Sequence, residues 1–102
     1  MTIHETLQST GLPCVYSHFR KNKKPVTPPY IAYIGNGQRN LNADDTHYWR
    51  ENTYQVEYYF IDKDEEKETA IEDALLEAGF IYDKSEDVYI EEQGVFVIYF
   101  YI

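Results

Sequence analysis

Residues 54–61, Tyr-Gln-Val-Glu-Tyr-Tyr-Phe-Ile, followed at once by 62–78, Asp-Lys-Asp-Glu-Glu-Lys-Glu-Thr-Ala-Ile-Glu-Asp-Ala-Leu-Leu-Glu-Ala, decide the fold class. In the first stretch Tyr54, Val56, Tyr58 and Phe60 alternate with Gln55, Glu57, Tyr59 and Ile61. A period of two predicts a strand, here the end of a longer one over Tyr48–Ile61, with the Tyr54/Val56/Tyr58/Phe60 face toward the core and Glu57 toward solvent. In the second stretch Ala70, Ile71, Ala74, Leu75 and Ala78 recur at helical spacing. Asp62 or Asp64 caps this helix, acidic residues crowd its first turns where the helix dipole favours them, and Gly79 ends it.

Working toward the N-terminus, Tyr30–Ile34 reads as a strand entered from Pro29, a position where proline is permitted. Gly35–Asp45, with two Gly and three Asn, reads as a loop. Cys14–Phe19 reads as a first strand, followed by a basic loop, Arg20–Lys24. Thr2–Thr10 reads as a short helix: Thr2 and Glu5 match a capping box, and Gly11 and Pro13 stop it. Toward the C-terminus, Val88–Glu91, a Gln93-Gly94 turn and Val95–Ile102 read as a β-hairpin. The predicted order is α-β-β-β-α-β-β: an α+β, two-layer α/β sandwich with an antiparallel or mixed sheet and both helices on one face. The last strand is apolar at every position, so both its faces should be covered. Helices on one side leave the other side of the sheet open, and a second copy is the simplest cover.

The 102 residues make one domain, residues 1–102, with no room for a second core. Apolar residues are 43% of the chain, enough for a core, and 11 Tyr suit a half-buried sheet or a contact surface. The longest apolar run, Val95–Ile102, is too short to cross a bilayer, and the N-terminal residues carry no signal-peptide pattern, so no membrane partner is expected. One cysteine excludes an internal disulfide and a Cys-cluster metal site. Net charge is −9, which disfavours general binding to phosphate backbones. The charge is divided unevenly: residues 1–61 carry a net +1 and residues 62–102 a net −10. A basic loop and an acidic helix in one chain suit contact between copies; two solvated faces are the plainer account.

The sequence offers no catalytic, cofactor or metal constellation. Asp44, Asp45 and His47 lack the ligand count and spacing of a cation loop. Cys14 and His18 lie four residues apart in a strand, about 13 Å, too far for a base to reach a thiol. Glu57, Glu91 and Glu92 could in principle pair across strands for acid/base work, but the period of two turns Glu57 toward solvent. Gly35-Asn36-Gly37 lacks the Lys-Ser/Thr ending and following helix of a phosphate loop. The expectation is a protein that binds and is not an enzyme. Interface residues are expected among Arg20, Lys21, Lys23 and Lys24 in the basic loop, and Tyr48, Trp49 and Arg50 beside the Asn-rich segment, since Trp and Arg are common interface anchors.

Several segments in succession carry a resemblance: Ser9–Tyr16, Pro28-Pro29-Tyr30-Ile31-Ala32-Tyr33, Asn40-Leu41-Asn42-Ala43-Asp44 with Tyr48, Tyr54–Tyr59, the acidic helix, and Tyr82-Asp83-Lys84 leading to Tyr89–Glu92. Their order and spacing, over nearly the whole chain, resemble the tail-completion or tail-terminator proteins of siphophages and prophages of Gram-positive bacteria. The resemblance implies a small α/β sandwich that assembles into a ring, commonly a hexamer. It implies a place in the virion tail or neck after synthesis in the host cytoplasm. The implied partners are other copies, the tail tube protein and the head–tail connector, with DNA only passing through the lumen. An acidic lumen would limit sticking of that DNA. The implied mechanism is binding alone, a ring face that blocks further addition to the tube end. The alternative is a small acidic inhibitor or DNA-mimic module that binds a host enzyme.

Overall fold

The structure, a computed structural model, describes residues 2–16, 27–43 and 47–102, without the side chains of 38–43 and 47–51. Its elements are α1 (Ile3–Gln8), β1 (Cys14–Tyr16), β2 (Tyr30–Ala43), β3 (His47–Phe60), α2 (Glu65–Glu77), β4 (Asp83–Lys84), β5 (Val88–Ile90) and β6 (Val95–Tyr101). They form an α+β fold: one mixed six-stranded sheet in the order β1-β2-β3-β6-β4, with β5 also paired to β6, and two helices. Only β1 and β2 run parallel; the other pairs are antiparallel.

The alternation in β3 sets the core. Val56, Tyr58 and Phe60 are buried with Ile31 and Tyr33 of β2 and Ile98 and Phe100 of β6. Ile3 and Leu7 from α1 and Ile71 and Leu75 from α2 close over them, so both helices lie on this face. Helix α1 is held by the capping box: Thr2 Oγ1 accepts from the Glu5 amide at 3.1 Å, and Glu5 Oε1 accepts from the Thr2 amide at 3.2 Å. Asp64, not Asp62, caps α2, accepting from the Glu66 amide at 3.1 Å. The helix ends in a Schellman turn: Phe80 N–H donates to Leu75 O at 2.9 Å and Gly79 N–H to Leu76 O at 3.0 Å, with Gly79 at φ 90°, a conformation costly for any other residue.

Three expectations need correction. Gly35–Ala43 is strand, not loop: β2 runs for 14 residues beside a 14-residue β3. Cys14–Tyr16 is strand as expected, and the rest of the expected first strand, residues 17–19, lies outside the described residues. A two-residue strand, β4, pairs with Phe100 and Tyr101; its residues, Asp83 and Lys84, are too few and too polar to show a period.

The third concerns the face opposite the helices. Tyr30, Ala32, Tyr59, Val95 and Val97 are buried there within a single chain, with Val15, Ile90 and Tyr99 packed against them. The centre of this face therefore does not wait for a second copy. Burial of Val95 and Val97 on this side, and of Ile98 and Phe100 on the other, covers the last strand on both faces as its composition requires. Glu57 shares the second face and is only 4% exposed, not solvated. Alternation assigned it to the correct side of the strand, but that side is packed. The Tyr59 hydroxyl donates to its Oε1, and Gln55 Nε2 lies 3.5 Å from its Oε2.

Candidate functional site

Beyond the body of the sheet, β2 and β3 continue as a two-stranded arm. Among the described residues, pairing with β1 ends at Tyr33 and pairing with β6 ends at Gln55, with one further exchange between Tyr54 and the Ile102 backbone at 3.0 and 3.1 Å. From there, among the described residues, Gln38–Ala43 and His47–Asn52 pair only with each other. Six rungs at about 3.4 Å per residue carry the ribbon about 17 Å outward. The molecule is correspondingly long, 50 × 31 × 23 Å.

The base of the arm is a defined irregularity. The register shifts between Gly35 and Gln38, and Gly37 takes φ 88°, the left-handed conformation that a glycine bulge requires. The Thr53 hydroxyl donates to the shared pair of carbonyls Asn36 O, at 2.9 Å, and Gly37 O, at 3.1 Å. A bulge raises the local twist, so this step sets the direction in which the arm leaves the sheet.

The register puts Leu41 opposite Trp49, Asn42 opposite Tyr48 and Asn40 opposite Arg50. The predicted residues Tyr48, Trp49 and Arg50 therefore sit together on the arm, inside β3 and not beside a loop. Arg20, Lys21, Lys23 and Lys24 lie outside the described residues, as do Asp44, Asp45 and His18. Among the described residues no three His, Cys, Asp or Glu are placed to hold a metal ion, and no helix is long and apolar enough to cross a membrane.

One nucleophile–base contact escaped the sequence reading. Cys14 Sγ lies 3.9 Å from His4 Nδ1, which is 3.0 Å from the Tyr33 hydroxyl. The comparison within the strand, Cys14 with His18, passed over the residue that α1 brings to β1. Docking of the amphipathic Ile3/Leu7 face beside β1 was the available signal. The contact is not an activated pair. Burial pushes the Cys14 thiol up to about 11, so it is protonated at neutral pH, whereas a Cys/His nucleophile needs a depressed value. Alkylation at pH 8 should accordingly run at least about tenfold slower than that of a free thiol; a rate at or above that of glutathione would contradict this.

Several other ionisable groups form ion pairs within the fold. Glu68, 2% exposed, receives Lys63 at 2.8 Å and Lys84 at 3.0 Å, and Lys84 also reaches Glu72 at 3.5 Å. Lys63 bonds Asp87 at 3.0 Å, and Lys67 pairs with Asp64 at 3.2 Å. Glu91 and Glu92 are exposed in the turn before β6, while Glu57 is buried. An open cavity of about 250 Å³ lies between Pro28, Pro29, Phe60 and the start of α2, with Asp62 and Asp64 offsetting Lys63 and Lys67 along its wall. Its opposed charges give it no preference for an anion or a cation. No protein-family model, no curated protein and no solved structure matches the chain.

Proposed function

We propose that the chain is a structural subunit that works by binding alone, forming a ring that caps a phage tail tube and joins it to the head connector. The observation that supports this reading most is the arm: a two-stranded ribbon with neither outer edge paired beyond Tyr33 and Tyr54 among the described residues. An isolated pair of strands is at best marginally stable in water, so such an arm belongs to a subunit completed by neighbours. It carries Tyr48, Trp49 and Arg50, residue types suited to protein contacts. The succession of segments that resembles tail-completion proteins supplies the particular assembly. Burial opposite the helices within one chain supports the arm over the flat of the sheet as the contact in this reading.

Deleting the gene from its phage should give overlong tails or tails without heads in electron micrographs. Tails of normal length joined to heads would refute the proposal.

A further inference from the structure

We infer that the cavity at the start of α2 is a binding site for a small neutral amide with an apolar body, whose carbonyl accepts from the Tyr58 hydroxyl. Such a site is independent of the ring reading.

The cavity, of about 250 Å³, forms where the diproline segment, the end of β3 and the start of α2 meet. Tyr30 pairs with Tyr59, so Pro28 and Pro29 run past the end of β3, and Asp64 caps the helix on the other side. Pro28, Pro29, Phe60 and Ile61 supply apolar wall, and the prolines bring no backbone N–H to it. Sites for drug-sized ligands span roughly 300–1,000 Å³, so the occupant here is smaller, on the scale of a single substituted ring.

Tyr58 lines this cavity from β3. It is fully buried, and its hydroxyl has no hydrogen-bond partner among the described residues. Buried hydroxyls are nearly always paired, because leaving the bond unmade is costly. Asp64 and Lys63, which also line the cavity, act electrostatically on this hydroxyl, so it lies on the cavity side of the ring. Burial, then the Asp64 and Glu68 carboxylates, keep it protonated well above neutral pH, which leaves it a donor. Lys63 and Lys67 beside it are half-exposed. Exposed side chains change rotamer within nanoseconds, which gives an entering group a way to the hydroxyl.

The charges along the wall set the class of ligand. An anion would meet Asp62 and Asp64, and a cation would meet Lys63 and Lys67, so neither gains a net attraction. Both lysines are already in ion pairs, Lys67 with Asp64 and Lys63 with Glu68 and Asp87. A neutral amide makes use of both kinds of polar group. Its carbonyl accepts from Tyr58, and its N–H donates to a carboxylate at the exposed edge, such as Asp62.

Benzamide is the probe. Titrated into the full-length chain, it should bind with a Kd of about 1 mM or below and shift the backbone amide resonances of Ile61, Asp64 and Lys67. Toluene, which lacks the carbonyl, and benzoate, which carries a charge, should each bind at least about tenfold more weakly. Tyr58→Phe removes only the oxygen from a buried ring, so the fold is kept. It should weaken benzamide binding about tenfold and leave toluene unchanged. A purely structural role for the hydroxyl would move both probes alike. No binding at benzamide concentrations on the order of 10 mM, resonance shifts confined to other parts of the chain, or equal benzamide affinity in Tyr58→Phe would overturn the site.

Discussion

Glu68→Ala should lower the stability of the fold by about 2–3 kcal/mol, read as a shift of the urea midpoint with unchanged slope. Glu68 lies at the first turn of α2 on the stripe that also carries Ile71 and Leu75, and it is 2% exposed. Its Oε1 accepts from Lys63 at 3.1 Å and from Lys84 at 3.0 Å. One carboxylate thereby ties α2 to the segment leaving β3 and to β4. Removing one partner of a fully buried pair costs about 3–5 kcal/mol. Here the lysine side chains are 45% and 31% exposed and regain water when released, which puts the loss at the low end. Glu68→Gln keeps the volume and one acceptor, so it should cost about half as much. A midpoint unchanged by Glu68→Ala would show that the cluster contributes nothing net.

The second large effect is alkaline. Stability should fall steeply from about pH 10 upward. Tyr58 is fully buried, and its hydroxyl has no hydrogen-bond partner among the described residues. Burial, then the neighbouring Asp64 and Glu68 carboxylates, push it up to about 12. An unfolded tyrosine ionises near pH 10. Between those values the unfolded chain holds fewer protons than the folded one, so rising pH favours unfolding. A two-unit difference corresponds to about 3 kcal/mol lost by the top of the range.

Tyr59 acts in the same direction, raised by burial and by its hydrogen bond to Glu57. So do Lys63, raised by its hydrogen bond to Glu68, and Lys84, where burial lowers the value but the Glu68 and Glu72 carboxylates outweigh it. The lysine contribution is complete below the unfolded value and is lost as pH climbs through the folded one. Tyr58→Phe removes both the titration and the unpaired hydroxyl. It should raise stability at neutral pH by about 1 kcal/mol and flatten the alkaline fall. Denaturation midpoints and tyrosinate absorbance over the same pH series would check both. An equally steep fall in the variant would remove Tyr58 from the account.

The residues that were legible in the sequence are those whose neighbours are local. The period of two in Tyr54–Phe60 and the helical spacing of Ile71 and Leu75 define the main core directly. Glu68 falls on the same helical stripe, three residues before Ile71, so its burial could have been counted from spacing. The arm was hidden because five of the eight residues Gly35–Asn42 are Gly or Asn, types depleted in strands. Its strand character comes from the long partner opposite, through pairs such as Leu41 with Trp49 that no local window contains. Glu57 shows the limit of alternation, which assigns a residue to a side but not the cover on that side. The Cys14–His4 contact depends on how α1 docks, information that resides in neither segment alone.

Tail tubes polymerised in vitro and incubated with the purified chain give the most direct test of the central proposal. The expected result is a single ring of density at one end of each tube, with elongation stopped when fresh tube protein is added. Tubes that bind no chain at their ends and continue to lengthen would contradict it.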